Sequence, residues 1–106
     1  MHHVVFLVTK RADMTQEEFV RYWIEEHTPL TAKLPGLRDY RCYPMIGRMD
    51  GLKPPFDAVA HISFDDEAAC RAALESDDFK TAVADSPNFQ SVESTFGFFA
   101  KEYIIV

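Results

Sequence analysis

Hydrophobic and polar positions alternate along this chain in two different periods, and the switches between them mark its elements. Residues 2–10 are short and rich in Val, Phe and Leu, which predicts a buried strand. Thr15 and Glu18 then form a capping box, in which each side chain bonds the other residue's amide, and a helix follows. Phe19, Val20, Trp23 and Ile24 fall on one arc at helical spacing, with Glu17, Arg21 and Glu25 mainly outside it. Pro29 disfavours helical backbone at Thr28, so the helix is expected to end near His27.

After Pro35 and Gly36, residues 37–45 carry Tyr40, Cys42 and Tyr43 and suit a second strand, followed by a loop over 47–55. In the third strand, residues 57–64, Ala58, Ala60, Ile62 and Phe64 alternate with Asp57, Val59, His61 and Ser63. Asp65 and Asp66 offer an N-cap for an alanine-rich helix to Leu74, and residues 76–78 interrupt it before a piece containing Phe79, Ala82 and Val83 that Pro87 ends. Residues 93–106 concentrate Phe96, Phe98, Phe99, Tyr103, Ile104 and Ile105, which predicts a long fourth strand.

The order βαββαβ predicts an α+β, ferredoxin-like arrangement with a four-stranded antiparallel sheet, one domain over residues 1–106. Two helices cover only one sheet face, yet the last strand is apolar on both parities. An exposed apolar face of several hundred Å² is uncommon in a monomer, so a second copy of the chain is expected to cover it as a homodimer.

Composition narrows the function. Eleven Lys+Arg against 17 Asp+Glu give a net charge of −6, the wrong sign for a nucleic-acid backbone, and the acidic residues from Asp57 to Asp85 read as a solvated helix face. Cys42 and Cys70 lack metal or disulfide spacing, and no apolar run is long enough for a membrane span. The expected compartment is the cytoplasm, with no nucleic-acid or membrane partner and no metal. Walker, dinucleotide-binding, nucleophile-elbow and HExxH motifs do not occur.

Several stretches in order resemble the EthD family of dimeric α/β barrel proteins: Met14-Thr15-Gln16-Glu17-Glu18-Phe19 through Tyr22-Trp23, His27-Thr28-Pro29-Leu30, Leu34-Pro35-Gly36-Leu37, Tyr40, and Pro55-Phe56-Asp57-Ala58-Val59-Ala60. The resemblance implies a homodimer with its two sheets face to face, helices outside and a small pocket in each subunit. It extends to methylmuconolactone methylisomerase, which has a functional histidine at the position of His27 and a tyrosine at that of Tyr40. Relatives of this broad fold include isomerases, cyclases, dehydratases and monooxygenases, so fold alone leaves the reaction open.

From the residues themselves, His27 lies four after Trp23 and eight after Phe19, within the apolar arc, where an imidazole suits acid/base work. The competing expectation is that it bonds a backbone carbonyl near Pro29. Tyr40 is the candidate donor to a developing oxyanion, and His61, by parity on the other sheet face, is a third candidate for proton transfer or a cross-dimer bond. Phe6, Trp23, Ala58, Ala60, Ile62, Phe64 and Phe98 are the expected ligand contacts, although Trp23 at core spacing equally suits packing. The function expected is a small enzyme working without a bound cofactor, isomerising, cyclising or dehydrating a hydrophobic carbonyl compound. The alternatives are a cofactor-free monooxygenase and a non-catalytic small-molecule-binding dimer.

Overall fold

Four strands, β1 (His2–Val8), β2 (Asp39–Pro44), β3 (Ala58–Phe64) and β4 (Phe96–Ala100), form one antiparallel sheet in a computed structural model that describes residues 1–106. Their order, β2-β3-β1-β4, puts the first and third strands at the centre and is ferredoxin-like. Register assigns the faces: Phe6 lies opposite Ala60 on one side and Gly97 on the other, whereas Val5 lies opposite His61 and Phe98. Directly opposed residues share a face, so even positions of β1 meet the helices and odd positions meet the open side.

The first helical region departs from its expected end. It runs as α1 (Gln16–Tyr22), a wide π-helical turn (Trp23–His27) and α2 (Thr28–Thr31), passing through Pro29. Within the wide turn the Thr28 N–H reaches back five residues to the Trp23 carbonyl, and Pro29 then falls in the first turn of α2, where a missing N–H costs little. Ile24, expected in the core, is exposed instead, since five residues after Phe19 it points about 140° away from that residue on a helix. The capping box at Thr15 and Glu18 is formed.

Asp66 caps α3 (Glu67–Leu74), and Ser76 caps α4 (Asp77–Asp85), the break expected between them. Asp65 instead forms a bidentate pair with Arg38. The core splits into two parts on the helical face. Val4, Leu34, Ile62, Phe64, Cys70 and Ala73 pack beneath α3, and Val8, Phe19, Trp23, Ala58, Ala60 and Phe89 pack beneath α1.

The fourth strand is shorter than its composition suggests. It covers only Phe96–Ala100; Val92–Ser94 is a 3-10 turn, and residues 101–106 are exposed and unpaired. Density of apolar residues there reflects surface that no part of this chain covers, with Phe96 and Phe98 about half exposed on the open face.

Phe64, fully buried in the first core cluster, supports the fold. Phe64→Ala is expected to lower unfolding free energy by about 3–5 kcal/mol, checked by denaturant titration.

Candidate active site

A cavity of about 350 Å³ lies between the helices and the sheet, beside the meeting point of the two core clusters. Phe6, Ala60, Ile62 and Gly97 form its sheet side; Trp23, His27 and Thr31 come from the first helical region; Val83, Pro87 and Val92 stand at its rim, exposed to solvent. Its walls are mainly apolar, with a few polar groups, the usual makeup of a small-molecule site.

His27 is buried, and its partner is a carboxylate rather than the backbone carbonyl that a helix-end role requires. Nδ1 lies 2.9 Å from Asp85 Oδ2, at the end of α4. A carboxylate only accepts, so Nδ1 donates, and in the neutral ring Nε2 is left as the basic nitrogen. Thr31 Oγ1 stands 3.4 Å from Nε2, a long and readily displaced contact. The ring leans on Phe89, centroids 4.5 Å apart.

Asp85 is held from three directions. Its Oδ1 accepts from the Tyr22 hydroxyl (2.6 Å) and from Asn88 Nδ2 (3.0 Å) while Oδ2 meets His27. Burial disfavours its charge, but the hydrogen bonds from Tyr22, Asn88 and His27 outweigh that and hold its pKa below the usual carboxylate value. The bond to Asp85, with burial in support, pushes the Tyr22 phenol up. The carboxylate is therefore a fixed anion behind the imidazole.

The wide turn makes this convergence possible. On an α-helix, residues five apart point roughly 140° away from each other, so Tyr22 and His27 would diverge. One π-helical turn brings the two toward one side, where a single carboxylate receives both. Phe89 completes the wall, stacked against Phe19 and Tyr22, and is fixed in place by hydrogen bonds from the Arg11 amide to its carbonyl (3.0 Å) and from the Ser91 amide to Thr9 (2.8 Å).

Tyr40 also lines the cavity, on β2 opposite Ile62. Burial, reinforced by Cys42 and opposed by Thr31 and Trp23, pushes its phenol well above the ordinary value. The hydroxyl is therefore a donor and not a base at neutral pH. Burial likewise raises Cys42, which keeps it a thiol and a poor nucleophile.

The structure brings together His27, Tyr40, Phe6, Trp23, Ala60 and Ile62, and separates the other expected site residues from them. Phe98 faces the opposite side of the sheet, because it is Gly97 that shares the face of Phe6. Ala58 and Phe64 point the right way but are sealed in the two core clusters, beyond the cavity wall. His61 lies on the open face, its ring stacked on His3 with Nε2 2.8 Å from His3 Nδ1, and His3 Nε2 is 3.4 Å from Glu102. It cannot join His27 in one proton transfer. Asp85, Tyr22, Asn88 and Phe89 were missed by the sequence reading, since an acidic residue at the end of an acidic helix looks like solvated surface; the tyrosine five residues before the histidine was the one available sign.

His61 is surrounded by His3 on β1, Arg41 and Asp39 on β2, and Glu102 beyond β4. Burial, then the nearby His3 and Arg41 charges, hold its pKa below 6.5, against weaker opposition from Glu102 and Asp39. The unfolded chain thus takes up this proton first, so the contribution of neutral His61 is complete above pH 6.5 and lost as pH falls through its folded pKa. His61→Gln is expected to flatten that part of the stability profile, measured by urea unfolding between neutral and mildly acidic pH.

Comparison with known proteins gives the context for this site. The EthD domain profile matches residues 11–93. An ethyl tert-butyl ether D (EthD) family protein from Bacillus halodurans is 22% identical in sequence, covers 97% of this chain and 100% of its own, and superposes with a TM-score of 0.82. A protein from Thermobifida fusca described as dimeric, ferredoxin-like and of unknown function is 19% identical, with 93% and 88% coverage and a TM-score of 0.70. SnoaB of Streptomyces nogalater, described as a cofactor-independent oxygenase, is 15% identical over 99% and 95% of the two chains, with a TM-score of 0.68. No curated protein sequence matches the chain. At these identities the structural likeness establishes a shared fold.

Proposed function

The chain belongs to the EthD domain family, and we propose that it is a small acid/base enzyme whose cavity enolises a hydrophobic carbonyl compound. The observation that carries this reading is the His27 and Asp85 pair facing an apolar cavity. Nε2 of His27 removes a proton from the carbon beside the substrate carbonyl, and the Asp85 carboxylate behind Nδ1 steadies the imidazolium that results. The Tyr40 hydroxyl, kept protonated by burial, donates to the oxygen on which charge develops. The isomerisations, aldol-type cyclisations and β-eliminations of water that pass through an enolate begin with this step. No bound cofactor is required for it.

A second reading uses the same base. A deprotonated, electron-rich substrate can itself react with oxygen, and the fold's likeness to SnoaB supports that route. Oxygen uptake that accompanies substrate loss would distinguish it from simple isomerisation.

The expected test uses β-tetralone in deuterated buffer, with exchange of the protons beside its carbonyl followed by NMR. The wild-type protein should accelerate exchange, and His27→Gln should lose about a hundredfold or more of that acceleration. Asp85→Asn, which keeps the ring but removes the charge behind it, should fall between them. Binding of the ketone without any accelerated exchange would instead support a non-catalytic carrier.

The working form proposed is a homodimer with the two open sheet faces together, as the exposed Phe96 and Phe98 and the dimeric Thermobifida protein suggest. Sedimentation equilibrium should give a mass of two chains at micromolar concentration, and Phe98→Asp should shift it to one. A single-chain mass for the wild type would overturn the dimer.

A further inference from the structure

The sheet side of the cavity contains an unusual row. Phe6 on β1 is flanked by Ala60 on β3 and Gly97 on β4, the two smallest side chains of the alphabet, directly opposite it on either side. The aromatic ring lies close against β4 at Gly97. A Cβ at position 97 would lie 3.0 Å from Phe6 Cε1 and 3.1 Å from Cδ1, so the ring occupies the space that a side chain on β4 would fill. Ring, glycine and alanine all line the cavity.

We propose that Gly97, acting through the Phe6 ring, sets the upper size of ligand that the cavity admits, and that this ligand is a flat carbonyl compound of two fused rings. The inference rests on the cavity being the ligand site proposed above. With glycine at 97 the ring leans toward β4 and leaves the space above Ala60, in front of Tyr40 and Ile62, free for ligand. A Cβ alone at 97 asks the ring to give by a few tenths of an ångström, whereas a branched side chain pushes it further toward β3 and into that space. At about 350 Å³ the cavity is near the small end of the range for ligand sites, about 300–1,000 Å³, so a displaced phenyl ring takes up a large share of it. Aromatic walls from Trp23, Tyr40 and Phe89 suit the faces of a planar guest.

Gly97 has no left-handed backbone to preserve, since positive φ angles occur only at Gly36 and Gly51. Substitution there is consequently a matter of space and not of backbone strain. Valine is also a favoured strand residue, so the variant should keep its sheet.

The test uses the only tryptophan of the chain, Trp23, which is buried in the cavity wall and reports occupancy by its fluorescence. Three aryl ketones of rising size are titrated: acetophenone, β-acetonaphthone and acetylphenanthrene. Wild type should bind the two-ring ketone most tightly and reject the three-ring one. Gly97→Val should weaken β-acetonaphthone by about tenfold or more and leave acetophenone within about threefold, and Gly97→Val with Phe6→Leu should recover most of the loss. Phe6→Leu alone should admit acetylphenanthrene, which keeps the size claim testable even if the valine variant folds poorly. Equal affinities of wild type and Gly97→Val for β-acetonaphthone would overturn the size limit while leaving the cavity as ligand site. Loss in Gly97→Val that Phe6→Leu does not relieve would overturn the part played by the ring. Failure of wild type to bind any of the three ketones would overturn both this inference and the ligand-site proposal, whereas binding without proton exchange would count against the enzyme reading alone.

Discussion

The Asp85 carboxylate is the interaction on which the geometry of the cavity depends. A partly buried anion is unfavourable unless hydrogen bonds replace the water it loses, and three side chains from two separate parts of the chain supply them here. Tyr22 and His27 arrive from the first helical region, and Asn88 from the turn after α4. The carboxylate thereby fastens the end of α4 to the first helical region at the cavity wall and favours one tautomer of the imidazole. Without that charge the ring keeps only the long Thr31 contact at 3.4 Å and its packing against Phe89.

Much of the fold could be read from residue patterns. Period-two alternation in Ala58, Ala60, Ile62 and Phe64 gave the face of β3, and the capping box gave the start of α1, because both depend on local chemistry. The parity of β4 could not be assigned in the same way. Phe96, Phe98 and Phe99 are all apolar, so only the observed register against Phe6 shows which of them turns away from the helices. The length of that strand was overestimated for a related reason: apolar residues from Tyr103 to Val106 have strand composition but no neighbour to pair with in this chain.

The site was legible in part, and the missing part has a single physical origin. His27 and Tyr40 stand out because their chemistry is distinctive in an apolar setting. Asp85 does not, since it closes a helix already rich in acid, and its role depends on contacts with residues 58 and 63 positions away. The π-helical turn that aims both Tyr22 and His27 at it also escapes a reading based on 3.6 residues per turn, which ends the helix near His27, before Pro29. Irregular helix geometry and long-range charge pairing meet at one place, which is where local rules have least to say.

The sheet also separates two kinds of evolutionary freedom. Because neighbouring residues on a strand project to opposite sides, Val5 and Phe98 can drift with whatever lies on the open face while Phe6 and Gly97, one position along, answer to the core and the cavity. A lineage carrying this fold can therefore alter the lining of the cavity without altering the open face, and the open face without altering the cavity.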